Sequence, residues 1–323
     1  MKNLHNLLQK IDKISKIIKK NKFILLIDII FSKIVYGSSV DNYLFFKFYN
    51  LTFRERNSYV TYRLNKKIVR QKNDRNYTSN FRNKALFAIK FEKFFKRDWL
   101  EYSNASEEKF VEFIKNKTSI IVKPIDSAFG QGIFKINVSN IEKPSDLYNK
   151  LKTYNNGKVI VEEWINQHQS INRLYSKAVN PIRLITIVNK GNCYILTGGI
   201  TIGNGREYTN ASCGDMVAPI DLTTGEVLYP AEDGDGNIYN EHPETRAKIK
   251  GFQIPYWEDI IKMVNEASSI VPEIKYVGWD IAVTNNGPII IEGNTSPGYK
   301  YYQMSNHLTN NIGNKKIYTK YLR

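Results

Sequence analysis

Leu4, Leu7, Leu8, Ile11, Ile14, Ile17 and Ile18 recur at three- and four-residue intervals with lysines between them, the spacing of an amphipathic helix. The next apolar stretch, Phe23 to Tyr36, is interrupted by Asp28 and Lys33. It falls short of the roughly 20 apolar residues that span a bilayer, and no small-residue cleavage site marks it as a signal peptide. The pattern predicts a core helix there, with peripheral membrane contact as the alternative. The first 75 residues read as mostly helical, and the Asn-, Arg- and Lys-rich run from Arg70 to Asn83 is the expected boundary with the rest of the chain.

Beyond it the hydrophobic period alternates. Helices are predicted at Lys84–Lys96, Ser106–Asn116 and Pro144–Thr153, and strands at Ile120–Lys123, Gly132–Val138 and Val159–Glu162. Ile182–Val188 and Tyr194–Ile202 flank the turn-forming run Asn189-Lys190-Gly191-Asn192 and predict a hairpin. A long loop is expected next, carrying Cys213-Gly214-Asp215 and Asp221-Leu222-Thr223-Thr224-Gly225. Pro255 precedes helical spacing at Ile260, Ile261, Val264 and Ala267. Two apolar strands, Tyr276–Val283 and Pro288–Ile291, then enclose Asn285-Asn286-Gly287. This texture is α/β or α+β.

With 323 residues and 42% hydrophobic composition, the chain can bury a sizeable core. Its net charge of +16 is uneven: residues 1–100 hold 23 Lys/Arg against 7 Asp/Glu, and the remainder is balanced at 24 against 24. Such a flank attracts nucleic acid, anionic lipid or an acidic polymer, or it is simply a solvated lysine-rich face. Cys193 and Cys213 lack metal or disulfide spacing, which fits a reducing, cytoplasmic setting.

The last hairpin carries the most specific chemistry. A three-residue loop sets Thr284 opposite Pro288 and Asp280 opposite Glu292, with Asn294 two residues on and facing the same way. Two carboxylates and an amide oxygen suit magnesium, which keeps few protein ligands and completes its shell with water and phosphate. Lys123 ends a β-branched strand before Ser127-Ala128-Phe129-Gly130-Gln131-Gly132, where glycines let backbone N–H groups approach phosphate. No Walker or dinucleotide pattern is present, and Gly130-Gln131-Gly132 by itself is more often just a turn. Glu162 and Glu163 close a strand beside Trp164 and Ile165, where a carboxylate could accept ribose hydroxyls. Arg183 lies within an apolar strand and must meet either a structural carboxylate or a phosphate. His168 and His242 are assigned to surface or core roles.

Taken in order, Lys84, Lys123-Pro124 with its SAFGQG loop, VEEWI, NPIRLIT, GWDIA and IIEGNTSPG resemble the ATP-grasp superfamily. More closely, they resemble the sugar-transfer-associated ATP-grasp family, over roughly residues 80–310. The resemblance implies an α+β ATP-grasp fold in which two α+β subdomains clasp ATP. A basic, mainly helical region at 1–78 would precede an ATP-grasp region at 79–323, with a lid near 118–163 and a metal-binding part near 164–310. It further implies ATP and magnesium (or manganese) as cofactors: Lys84, Lys123, Ser127, Gly130, Gln131 and Gly132 on phosphates, and Glu162, Glu163, Trp164 and Ile165 near adenine and ribose. Asp280, Glu292 and Asn294 would hold metal, with Arg183 and Lys123 catalytic.

The implied chemistry is carboxylate–amine ligation through an acylphosphate, joining an acidic sugar or glycan precursor to an amino acid or small amine. The enzyme would be cytoplasmic, with peripheral contact at an anionic membrane face, and would not act on nucleic acid. Two alternatives stand: a peptide-forming ligase, and a basic nucleic-acid- or membrane-binding protein with a degenerate ATP-grasp fold. The chain departs from the family where no βαβ pattern precedes Lys84, and at Pro181, where a hydroxyl residue is common.

Overall fold

The structure, a computed structural model, describes residues 9, 11, 12, 14–16, 18, 19, 21–127, 130–206, 209, 211 and 214–322. Leu4, Leu7, Leu8, Ile17, Ala128, Phe129 and Cys213 therefore lie outside the described residues. The chain divides into two compact units, Met1–Ile68 with Gly298–Arg323, and Val69–Pro297. The expected boundary at residue 78 falls inside the second unit, and residues 298–310 belong with the first.

The first unit is helical among its described residues, with α1 (Lys22–Val35), α2 (Val40–Phe45), α3 (Phe53–Asn57) and the start of α4 (Tyr62–Lys72). Thr52 and Glu55 form a capping box that starts α3. Tyr43, Phe46, Phe48 and Tyr59 pack ring against ring in its core. Gln303 ties the C-terminal segment in by accepting from Val60 N at 2.8 Å and Asn314 N at 3.0 Å. The expectation of a core helix at Phe23–Tyr36 fails. The segment is helical, but only Leu25, Ile29 and Ser32 of α1 are buried, and most of its isoleucines face outward.

The second unit holds two antiparallel sheets. Strands β1 (Trp99–Glu101), β2 (Ser119–Pro124), β3 (Phe134–Asn137) and β4 (Val159–Glu163) form one, in the order β1-β4-β2-β3. The other comprises β5 (Ile182–Asn189), β6 (Asn192–Ile202), β7 (Met216–Pro219), β8 (Ala231–Glu232), β9 (Ile238–Tyr239), β10 (Tyr276–Thr284) and β11 (Gly287–Asn294). Its order is β11-β10-β5-β6-β7-β8-β9. The expected long loop thus contains β7. Val217 and Ala218 are buried there, but four residues are too short a run for period-two patterning to reveal.

Local chemistry explains most boundaries. Asn83 accepts from the backbone N–H of Ala85 and Leu86 and starts a helix at Lys84. That helix stops at Lys90, and a separate turn spans Glu92–Phe95, so the single helix expected over Lys84–Lys96 is two. Pro144 occupies the first turn of its helix, where its missing N–H costs nothing. Lys190 and Gly191, both at positive φ, make the two-residue turn between β5 and β6. The smaller sheet buries Ile120, Val122, Val159 and Val161 against Phe110 and Leu151 of its helices. The larger buries Trp279, Ile281 and Leu184 against the helix Trp257–Ala267 and the Phe81–Phe91 aromatic group.

Candidate functional site

Strands β5, β10 and β11 are neighbours, and their registers set Arg183 opposite Asp280 and Asp280 opposite Glu292. Side chains in one register row share a face, so three charged groups line up across three strands. The hairpin reaches this arrangement by an unexpected route. Its loop has two residues, not three: Thr284 pairs with Gly287, and that register alone would set Asp280 against Ile291. A one-residue shift between Asp280 and Ile281 leaves Ile291 as the extra residue and restores Glu292 to Asp280. The bulge decides the site, because without it Glu292 would project to the opposite face.

Arg183 meets Asp280 with two N–H groups, Nε to Oδ1 and Nη2 to Oδ2. Arg183 thus has a structural carboxylate as a partner. Gly278 makes room for this fork: a Cβ there would lie 3.2 Å from Arg183 Nη1 and 2.8 Å from the Pro297 Cβ. Asn294 sits opposite Gly278, and its Oδ1 accepts from Ser296 N at 2.9 Å.

A second charged group comes from the smaller sheet. Lys123, 7% exposed, donates from Nζ to Glu162 Oε2 at 2.8 Å. Arg97 donates from Nε to the same oxygen at 2.8 Å. Burial pushes the Glu162 carboxyl up, but Arg97 and Lys123 together hold it below its ordinary value. Lys84 Nζ donates to Ser127 O at 2.5 Å, and burial lowers its ammonium, opposed by Glu292 and reinforced by Lys123. Glu292 is raised, by burial first and by Asp280 second, against the pull of Arg183, Lys123 and Lys84. These six groups (Lys84, Lys123, Glu162, Arg183, Asp280 and Glu292) are therefore linked electrostatically across the two sheets.

Adjacent strand residues alternate faces, and Glu163 leaves this cluster. It borders a cavity of about 460 Å³ together with Phe95, Lys96, Asp98 and Trp99. Glu162, expected with Glu163 near adenine and ribose, is enclosed by Arg97 and Lys123. Trp164 carries the Lys135 ammonium 4.0 Å from its ring centre, Ile165 is half-buried and Gln131 is exposed. His168 caps a helix by accepting from Ser170 N, and buried His242 bonds Gly203 O through Nε2 at 2.8 Å. Both are structural.

Sequence reasoning missed Arg97. Its guanidinium also donates to the carbonyls of Ile290 at 2.9 Å and Ile291 at 3.2 Å. Consecutive carbonyls of a regular strand point to opposite edges, so one guanidinium reaches both only because the chain bulges there. Nothing in the run Lys96-Arg97-Asp98 distinguishes Arg97 from its charged neighbours.

In the loop after β2, Gly130 and Gly132 have φ of 72° and 71°. A Cβ on Gly132 would lie 2.6 Å from the Tyr154 hydroxyl and 2.9 Å from Pro124 Cγ. Gly132→Ala is expected to cost about 1–3 kcal/mol by forcing this strained conformation, visible as a lower melting temperature. An unchanged melting temperature would show that the loop yields.

Among the described residues no group of three or more His, Cys, Asp or Glu is placed to hold a metal. The chemistry of the row still fits a cation. The registers put Asp280, Glu292 and Asn294 on one face, and two carboxylates with an amide suffice for magnesium bound mainly through phosphate and water.

Similarity searches return solved ATP-grasp proteins at low identity. The ATP-grasp ligase PsnB, complexed with minimal precursor, is 11% identical, covering 78% of this chain and 63% of its own, with a TM-score of 0.45. The L-amino acid ligase from Bacillus licheniformis is 12% identical over 76% of this chain and 48% of its own, TM-score 0.45. D-alanyl-alanine synthetase A from Vibrio cholerae is 14% identical over 75% of this chain and 66% of its own, TM-score 0.43. The chain thus spans between about half and two thirds of these proteins' lengths. No curated protein matches it. The fold is that of the ATP-grasp proteins, two α+β layers with a basic, mainly helical N-terminal region. The chain belongs to the sugar-transfer-associated ATP-grasp family, which matches residues 63–314.

Proposed function

We propose that the protein is an ATP- and magnesium-dependent carboxylate–amine ligase, forming an amide on a uronic acid or another carboxylate of a surface glycan or its precursor. One observation carries this reading: the Arg183–Asp280–Glu292 row and the Lys84–Lys123–Glu162 group form one charged cluster between two sheets. A nucleotide with its cation is the partner that such mixed charge suits. The glycan substrate rests on the family description, and the amine is an amino acid or small amine.

In this reading the substrate carboxylate attacks the γ-phosphorus, ADP departs, and an amine displaces phosphate from the acylphosphate to leave an amide. Lys84 and Lys123 would bind phosphate oxygens, assisted by backbone N–H groups of the Ser127–Gly132 loop. Residues 118–163 would act as a lid and 164–297 as the metal-binding part. The neighbourhood of Glu163, Trp164 and Ile165 would hold adenine and ribose. Asp280, Glu292 and Asn294 would hold magnesium or manganese, which supplies charge neutralisation at the transferring phosphoryl group. Arg183, already fixed by Asp280, would stabilise the negative charge that builds there.

The test is an ADP-release screen over uronic acids, nucleotide sugars and amines, with mass spectrometry for loss of water between two partners. Lys123→Ala is expected to lower ADP release about 100-fold or more. Arg97 keeps Glu162 paired in that variant, so the fold should persist. Unchanged turnover would sink the assignment of Lys123.

A further inference from the structure

We infer that α1 is an interfacial anchor whose outer face lies on an anionic bilayer. Phe23, Ile24, Ile27, Ile30, Phe31 and Ile34 are between 42% and 73% exposed. At about 100° per residue they fall within roughly 120° of the helix circumference, opposite buried Leu25, Ile29 and Ser32. A contiguous apolar stripe of this size on a water-facing helix calls for a partner.

The rest of the helix is arranged to leave that stripe uncharged. Its one acidic residue, Asp28, is turned inward, taking Arg56 Nη2 at 2.9 Å and the Tyr43 hydroxyl at 2.6 Å. Arg63 donates to the carbonyls of Lys33 at 2.8 Å and Ile34 at 3.1 Å, so those C-terminal acceptors are satisfied within the protein. Phe53, 63% exposed, lies beside Phe31 with ring centres 6.5 Å apart and extends the apolar face onto α3.

Charge selects the occupant. Residues 1–36 contain eight lysines and two aspartates. Both aspartates are engaged, Asp12 by Lys16 and Asp28 by Arg56. Lys22 and Lys33, both exposed, lie together on one side of the helix, roughly 60–80° beyond the edge of the stripe, and long stems let such ammonium groups reach towards lipid phosphates. A second copy of the chain would bring two such positive segments together, whereas an anionic surface neutralises them. The geometry is that of a helix lying in the interface: α1 has 14 residues, and among the described residues no helix is long and apolar enough to cross a membrane. A face of this kind would hold the enzyme where lipid-linked acidic precursors are presented, though the anchor does not depend on the ligase assignment.

The test is flotation of the full chain with vesicles of phosphatidylcholine alone or with about 30% phosphatidylglycerol, a composition of roughly physiological negative charge. The protein is expected to float with anionic vesicles only, and to be released as salt rises and screens the surface. Ile27→Ser/Ile30→Ser/Ile34→Ser should weaken partitioning by about 100-fold or more with the melting temperature maintained, since all three positions are exposed. Lys22→Glu/Lys33→Glu should weaken it by about tenfold or more. Three results would overturn the anchor: no flotation of the wild type, equal flotation of the isoleucine variant, or a drop in molar mass of that variant without any vesicle binding. The last would make the face a contact between copies. Glu292→Gln protein should still float, which separates failure of the anchor from failure of the ligase assignment.

Discussion

Glu292→Gln is expected to lose ADP release by about 1,000-fold while melting at a higher temperature than the wild type at pH 7. The two effects have one origin. Burial and the neighbouring Asp280 raise the Glu292 carboxyl above its ordinary value, so the folded chain holds this proton more tightly than the unfolded chain does. A raised carboxyl contributes stability that is complete below the unfolded value of 4.5 and lost as pH rises through the folded value. The ionised form of Glu292 is a net cost to the fold, which in the proposed function the cation it would hold offsets. Glutamine keeps the shape, removes the charge and so removes both the cost and the metal ligand. The gain should appear as pH rises through the folded value and fade below about pH 4.5. Calorimetry at both pH values with a coupled ADP assay checks this. A melting temperature below that of the wild type at pH 7, or turnover near the wild-type rate, would contradict it.

How much of this was visible in the chain differs by element. Asp280 facing Glu292 was legible, although for a partly wrong reason: a three-residue loop and a two-residue loop with a bulge give the same pairing at that position. Turn residues fix a hairpin loop only to within one residue, and the bulge depends on packing that spacing does not encode. The Arg183 partner was legible as a requirement, because a charge inside an apolar strand needs one. The roles of Glu162 and Glu163 were not separable, since a dipeptide shows neither which residue faces which sheet nor what lies opposite. The outward face of α1 was hidden for another reason. An apolar stripe looks the same in sequence whether protein or another phase covers it, and only the folded packing shows which positions stay uncovered.

Arg97→Met is expected to be the most damaging single change to the fold, at about 3–5 kcal/mol. Arg97 is almost fully buried and holds Glu162 Oε2 from one side while capping the Ile290 and Ile291 carbonyls at the bulge. Methionine fills similar volume but leaves a buried carboxylate with Lys123 alone and two backbone acceptors unpaired. Glu162 is held below its ordinary carboxyl value in the wild type, so its contribution is complete above the unfolded value of 4.5 and is lost as pH falls through the lower folded value. The gap between wild type and Arg97→Met should therefore be wide at pH 7 and narrow in acid. Arg97→Lys restores the charge but cannot reach all four acceptors, Glu162 and the carbonyls of Phe95, Ile290 and Ile291, at once, and should fall between the two. Lys123→Met leaves the Arg97–Glu162 contact and both carbonyl caps intact and should cost less than Arg97→Met. Urea unfolding midpoints of the three variants at pH 7 test the order, and equal midpoints for Arg97→Met and Lys123→Met would show that the bulge needs no cap. Because the bulge is what sets Glu292 opposite Asp280, Arg97→Met protein that remains folded should also lose ADP release, although Arg97 touches none of the proposed metal ligands.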